Sequence, residues 1–109
     1  MQEKKLGQSQ IANGSRTTLY TLGADTIAIV KTIIMTNTTG TDATISIWDI
    51  PNGDSYGDAN AILKDLNVPA NDFVQITTYL PLATQGDSIL AEAGTATAIT
   101  ISVYGAEVA

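Results

Sequence analysis

A chain of 109 residues fits one domain and is long enough to bury a core without disulfide or metal staples. Its net charge of −6, with cations only at Lys4, Lys5, Arg16, Lys31 and Lys64, argues against nucleic acid, whose backbone is gripped by clustered Lys and Arg. With no Cys and no His it has no thiol nucleophile, imidazole base or Cys/His zinc site, and its most apolar stretch (residues 27–35, broken by Lys31) is far shorter than the ~20 residues of a membrane span.

Residues 1–12 are polar and lack the apolar run of a secretory leader, which implies synthesis in a cytoplasm. They read as an arm, flexible or ordered by a partner, ahead of a β domain over residues 13–109. Residues 17–22 form the first expected strand, ended by Gly23-Ala24-Asp25. The next, over 26–37, has apolar residues on both faces: Ile27, Ile29, Ile33 and Met35 on one, Ala28, Val30 and Ile34 on the other. A sandwich strand normally hides one face only. Either a bulge at Lys31 flips the register, or another subunit covers the second face.

Residues 43–50 alternate, with Ala43, Ile45 and Ile47 opposite Thr44, Ser46 and Trp48, until Pro51 stops the strand. The loop that follows places Asp49, Asn52, Asp54, Asp58 and Asn60 close together, oxygen donors of the kind Ca²⁺ takes. The spacing is not that of an EF-hand, since Tyr56 falls where a ligand is wanted, and a solvated turn is the simpler account. Residues 61–68 suit a short helix or an edge strand, and the edge strand is preferred. Residues 72–80 point Val74, Ile76, Thr78 and Leu80 one way, with Pro81 and residues 84–87 marking turns. Residues 88–93 and 95–104 make a final pair across Gly94, with Ile99, Ile101 and Val103 inward.

These elements imply an all-β, single-domain antiparallel sandwich of about eight strands, jelly-roll or immunoglobulin-like. Ile45, Ile47, Ile76, Ile99 and Ile101 are its expected core. The acids sit mainly in turns (Asp25, Asp42, Asp54, Asp58, Asp72 and Asp87), where Asp serves the backbone. The chain is therefore read as no enzyme, with no catalytic, cofactor-binding or metal residue assigned and no cofactor expected. A glycanase, the enzymatic alternative, needs two acids facing across a cleft. The interface candidates are Lys4, Lys5 and Leu6 of the arm, then Ile27, Ile29, Val30 and Ile34 of the two-faced strand. Trp48 and Tyr56 complete the set, because aromatic side chains serve both interfaces and sugar platforms. For Trp48 a packed position capping one end of the sandwich is the preferred reading, whereas Tyr56, in a loop of small polar residues, should be exposed.

Leu19-Tyr20-Thr21, Thr36-Asn37, Leu80-Pro81-Leu82, Gly86-Asp87 and Gly105-Ala106-Glu107 are spread in that order over nearly all of the chain after about Thr17. In that arrangement the sequence resembles small β-rich structural proteins of tailed bacteriophages. The resemblance implies a virion component made in the host cytoplasm. Its foremost form is a head decoration (cement) protein, a homo-trimer that binds the major capsid protein and stabilises the outer shell with the help of the arm. The alternative is a tail-fibre or baseplate domain binding host-surface carbohydrate. Neither reading involves nucleic acid or a membrane.

Overall fold

The period-two alternation becomes eight strands in the computed structural model, which describes residues 2–11, 16–94 and 99–108. They are β1 (Gln2–Ile11), β2 (Thr17–Thr21), β3 (Ile27–Asn37), β4 (Ala43–Ile50), β5 (Ala61–Val68), β6 (Phe73–Leu82), β7 (Ser88–Ala93) and β8 (Ile99–Val108). Helix among the described residues is confined to a 3-10 turn at Asp58–Asn60. A front sheet runs in the order β1-β8-β3-β6 and a back sheet in the order β2-β7-β4-β5, with antiparallel pairing throughout. Successive strands cross between the sheets except at the β4–β5 hairpin. This is the eight-stranded jelly roll, and it differs from the strand order of an immunoglobulin domain.

The sheets close on an isoleucine-rich core. Ile45, Ile47, Ile99 and Ile101 are fully buried, as their alternation requires, beside Ile11, Ile33, Met35 and Ile89. Ile76 also points inward but is only half-buried, because β6 is an edge strand. One buried polar residue ties the sheets together. Asn37, at the end of β3, donates from Nδ2 to the carbonyls of Thr41 (2.8 Å) and Val68 (3.0 Å), and accepts from the Thr39 N–H at 2.9 Å. Its amide is thereby satisfied, which is what a buried polar group needs to avoid a desolvation penalty.

Four expectations need correction. The polar segment taken for an arm is a strand: β1 pairs along its length with β8, and Ile11 is fully buried. Its polarity reflects an edge position whose outward side chains are solvated. Pro81 is no turn marker but lies within β6, at an edge where the missing N–H can be tolerated. The segments on either side of Gly94 do not pair with each other, for β7 belongs to the back sheet and β8 to the front, and residues 95–98 lie outside the described residues. Val30, offered as an interface residue, is fully buried. The reason is the bulge: the register of β3 against both neighbours shifts between Val30 and Thr32. Ala28 and Val30 therefore point inward before Lys31, and Ile33 and Met35 after it.

Candidate interaction surface

The bulge explains the inner residues of β3 without removing apolar side chains from its outer face. Ile27 remains 47% exposed, and Ile29 and Ile34 are half-buried on the same side. Register extends this surface across the front sheet. Ile27 lies opposite Val108, Ile29 opposite Ala106 and Pro81, Ile34 opposite Ser102 and Gln75, and Thr36 opposite Phe73. The outer positions of β6 are Phe73, Gln75, Thr77, Tyr79 and Pro81, of which Tyr79 is 68% and Phe73 56% exposed. Of five exposed large hydrophobics among the described residues, four (Ile27, Phe73, Tyr79 and Val108) lie on this face. Large apolar side chains gathered outside the core mark interaction sites more often than single ones do.

Two bulges shape one part of the face. β1 shifts register at Leu6, beside the Val103–Tyr104 step of β8, and β3 at Lys31, beside the Tyr104–Gly105 step, so the two bulges lie on either side of Tyr104. A Cβ added to Gly105 would stand 1.9 Å from the Ile29 carbonyl oxygen and 3.1 Å from Leu6 Cδ1, so only glycine fits where the bulges converge. The result is a shallow depression of ≈ 460 Å³ lined by Glu3, Lys4, Lys5, Lys31, Thr32 and Tyr104. Three of the five cations meet here, although they are far apart in sequence. Two are neutralised: Lys31 pairs with Glu3 at 3.1 Å and Lys4 with Glu107 at 3.0 Å. Glu107 also accepts a hydrogen bond from the Tyr20 hydroxyl of β2, which bridges the sheets at this end. That bond and the Lys4 ammonium hold the Glu107 carboxyl below its ordinary pKa. Burial, with the carboxylate beside it, pushes the Tyr20 hydroxyl up.

The back sheet treats its large outward aromatic differently. Trp48 points away from the core yet is only 2% exposed. The β4–β5 loop folds over it, placing Tyr56 edge-on at 5.2 Å between ring centroids. The Arg16 guanidinium lies 4.0 Å from the Tyr56 ring centroid and donates to the Tyr56 hydroxyl at 2.8 Å. Tyr56 is 43% exposed, as expected, but its ring is held by Trp48 and Arg16, so neither aromatic offers an open platform for a sugar. Trp48 Nε1 is buried without a hydrogen-bond partner.

The acidic loop spends its polar groups on itself and on the turn before β7. Asp87 accepts the N–H groups of Asn52 (2.9 Å) and Thr84 (3.2 Å). Asn60 accepts from the Gly57 N–H at 3.0 Å and donates to the Ser55 carbonyl at 3.0 Å. Asp54 and Asp58 are exposed, and no group of three acids able to hold a metal ion occurs among the described residues. Asp49 turns inward at a recess of ≈ 540 Å³ lined also by Asp54, Asn60, Ile62 and Leu80. Burial, and secondarily the charge of Asp87, raises its pKa.

The structure thus gathers Lys4, Lys5, Ile27, Ile29 and Ile34 on one sheet, with Leu6 at its bulge. Val30 goes to the core, and Trp48 and Tyr56 to the opposite sheet. Phe73, Tyr79 and Val108 were missed. Their signal lay in the same alternation that placed Val74, Ile76 and Leu80 inward, since every inward position of β6 implies an outward neighbour.

No family model and no curated protein matches the chain. Among solved structures, it is similar to that of infectious bursal disease virus Gt strain at 12% identity and a TM-score of 0.47, over 97% of this chain and 30% of that one. For the Gx strain of the same virus the values are 12% and 0.40, over 95% of this chain and 37% of that one. The chain therefore spans about a third of the length of the viral chains it matches. At these scores the likeness carries no argument about function.

Proposed function

We infer that this chain is a non-enzymatic virion structural protein, a head decoration protein of a tailed bacteriophage that lays the outer face of its front sheet against the major capsid protein. The observation that carries the reading is the concentration of Ile27, Phe73, Tyr79 and Val108 on that one face. The phage-like pattern in the sequence supplies the partner. Interface cores are apolar and aromatic with a polar rim, and Lys5, Lys31 and Glu3 supply such a rim. Docking through a sheet face requires no particular copy number, and threefold symmetry is not part of the reading. Nor is an N-terminal arm: β1 contributes through its place in the sheet. The carbohydrate-binding alternative is less favoured because Trp48 and Tyr56 are engaged with each other and with Arg16.

The test is co-sedimentation of purified protein with expanded phage heads stripped of decoration. Ile27→Ser and Tyr79→Ser should each weaken attachment while leaving the fold intact by circular dichroism, and Tyr56→Ala should not. Attachment unchanged in both front-sheet variants overturns the proposed face. Specific binding to host-surface glycans, with none to heads, overturns the decoration role.

A further inference from the structure

An open sheet has two edges, and each edge strand presents unpaired backbone N–H and C=O groups to any strand that approaches. This sandwich has four such edges, and three carry devices that discourage pairing. β1 bears Glu3, Lys4 and Lys5 and is bulged at Leu6. β2 is five residues long and bulged between Thr18 and Tyr20. β5 carries Lys64 and Asp65, shifts register twice against β4, and holds Asp65 at a left-handed φ of 51°. β6 differs. Its ten residues, Phe73–Leu82, include no charge in a chain of net −6. Exposed and half-buried positions alternate along the strand as far as Pro81, although its pairing with β3 shifts register between Thr77 and Leu80. Its single blocking residue is Pro81, next to its end.

We propose that β6 pairs antiparallel with β6 of a second copy about a twofold axis at Ile76, joining two front sheets into one eight-stranded sheet. The register is self-complementary. With Ile76 opposite its own counterpart, Phe73 falls opposite Tyr79, Val74 opposite Thr78, and Gln75 opposite Thr77, each pair occurring twice. Every outward residue thus meets an outward one, as the pleat requires. The most exposed large hydrophobics among the described residues, Tyr79 and Phe73, become cross-strand aromatic partners. Pro81 falls outside the paired run of residues 73–79. On the inner side, Val74, Ile76 and Leu80 pack on the core yet stay half-buried because no described strand of this chain flanks the outer edge of β6. A second copy along that edge continues the sheet over them. The pair also sets two outer faces side by side, so that attachment through that face, if the reading above holds, is bivalent. The dimer itself does not depend on that reading.

Sedimentation equilibrium over a concentration series tests the pairing. The native chain should rise from the mass of one chain toward that of two. Gln75→Lys with Thr77→Lys places like charges opposite each other twice and should abolish the rise. Gln75→Glu with Thr77→Lys places opposite charges there and should preserve it. General charge repulsion gives the reverse order for the first variant, because two added cations bring a −6 chain closer to neutrality. Since the chain has no Cys, Ile76→Cys gives an independent readout: it should form a disulfide-linked dimer on oxidation, as Cα atoms of directly opposed antiparallel residues lie within disulfide range. Circular dichroism of each variant confirms that the monomer is folded. A native chain that stays monomeric throughout, or a dimer undiminished in the double-lysine variant, overturns the proposal.

Discussion

The two outer faces of this sandwich are built by the same alternation and end in opposite states. On the back sheet, Trp48 points outward and is buried anyway, because the β4–β5 loop brings Tyr56 over it and Arg16 over Tyr56. Ser46, on the same side, accepts the Asp65 N–H at 2.9 Å and thereby serves the bulged pairing of β5. On the front sheet, Ile27, Phe73, Tyr79 and Val108 point outward and stay open, with no described segment of the chain folded over them. An apolar side chain outside the core thus has two fates in one molecule. Where the chain supplies its own cover, the residue contributes to stability. Where it does not, the residue adds little to folding and is free for recognition.

This contrast can be broken most directly by truncating one aromatic on each side. Trp48→Ala should lose about 3–5 kcal/mol in urea unfolding, the range for a buried aromatic whose site cannot fully collapse. Tyr79→Ala should stay within ~0.5 kcal/mol of the native chain, as exposed surface substitutions do. Similar losses at the two positions would mean that the front face is also covered, or that the loop does not hold Trp48.

The next effect sharpens the front face itself. Gly105→Ala drives a methyl group into the Ile29 carbonyl, which is backbone on a central strand and cannot move alone. A loss of about 3 kcal/mol or more is expected. Gly40→Ala, where an added Cβ meets nothing within 4 Å, is the control and should unfold at nearly the native urea concentration. A mild Gly105→Ala would show that the two bulges can relax, and the depression beside Tyr104 would then be a pliable feature. Smaller again is the loss for Tyr56→Ala, at about 1–2 kcal/mol, combining an edge-on aromatic pair and a cation–π contact. Its near-ultraviolet dichroism should change in the Trp48 band as the indole loses its cover.

Legibility in the sequence followed the same divide. Inner faces were readable because alternation alone decides them: Ile45, Ile47, Ile99 and Ile101 are all buried. The bulge at Lys31 was also foreseeable as one of two accounts of β3, since no straight strand accommodates Ala28, Val30, Ile33 and Met35 on one face. Partner strands were not readable. Sequence neighbours on either side of Gly94 suggested a hairpin, but in this topology nearly every consecutive pair crosses between sheets, and loop composition does not encode that choice. For the same reason β1 passed for an arm, its polar residues being those of an edge rather than of a tail. The site was half legible. Ile27, Ile29 and Ile34 could be named from the excess of apolar residues on β3, whereas the gathering of Lys4, Lys5 and Lys31 depends on pairing across β8.

The smallest expected effects come from two carboxylates that the fold shifts in opposite directions. Glu107, at the front-sheet end, is held below its ordinary pKa first by the Tyr20 hydroxyl and then by Lys4. The folded state therefore prefers its ionised form, and the contribution is fully present above the ordinary Glu value of ~4.3 and is lost as pH falls through the lowered folded value. Asp49, at the back-sheet recess, is raised by burial and by Asp87, so the folded state prefers its protonated form. Its contribution is present below the ordinary Asp value of ~3.9 and is lost as pH rises through the raised one. Glu107→Gln should therefore be less stable than the native chain at neutral pH, with the gap closing in strong acid. Asp49→Asn should be more stable at neutral pH, and its advantage should also vanish in strong acid. Urea midpoints taken from acid to neutral pH would display the two trends as curves leaving the native one in opposite directions. Two curves parallel to the native one would mean that neither carboxylate distinguishes the folded chain from the unfolded, and the Tyr20–Glu107–Lys4 bridge would then contribute nothing to joining the sheets.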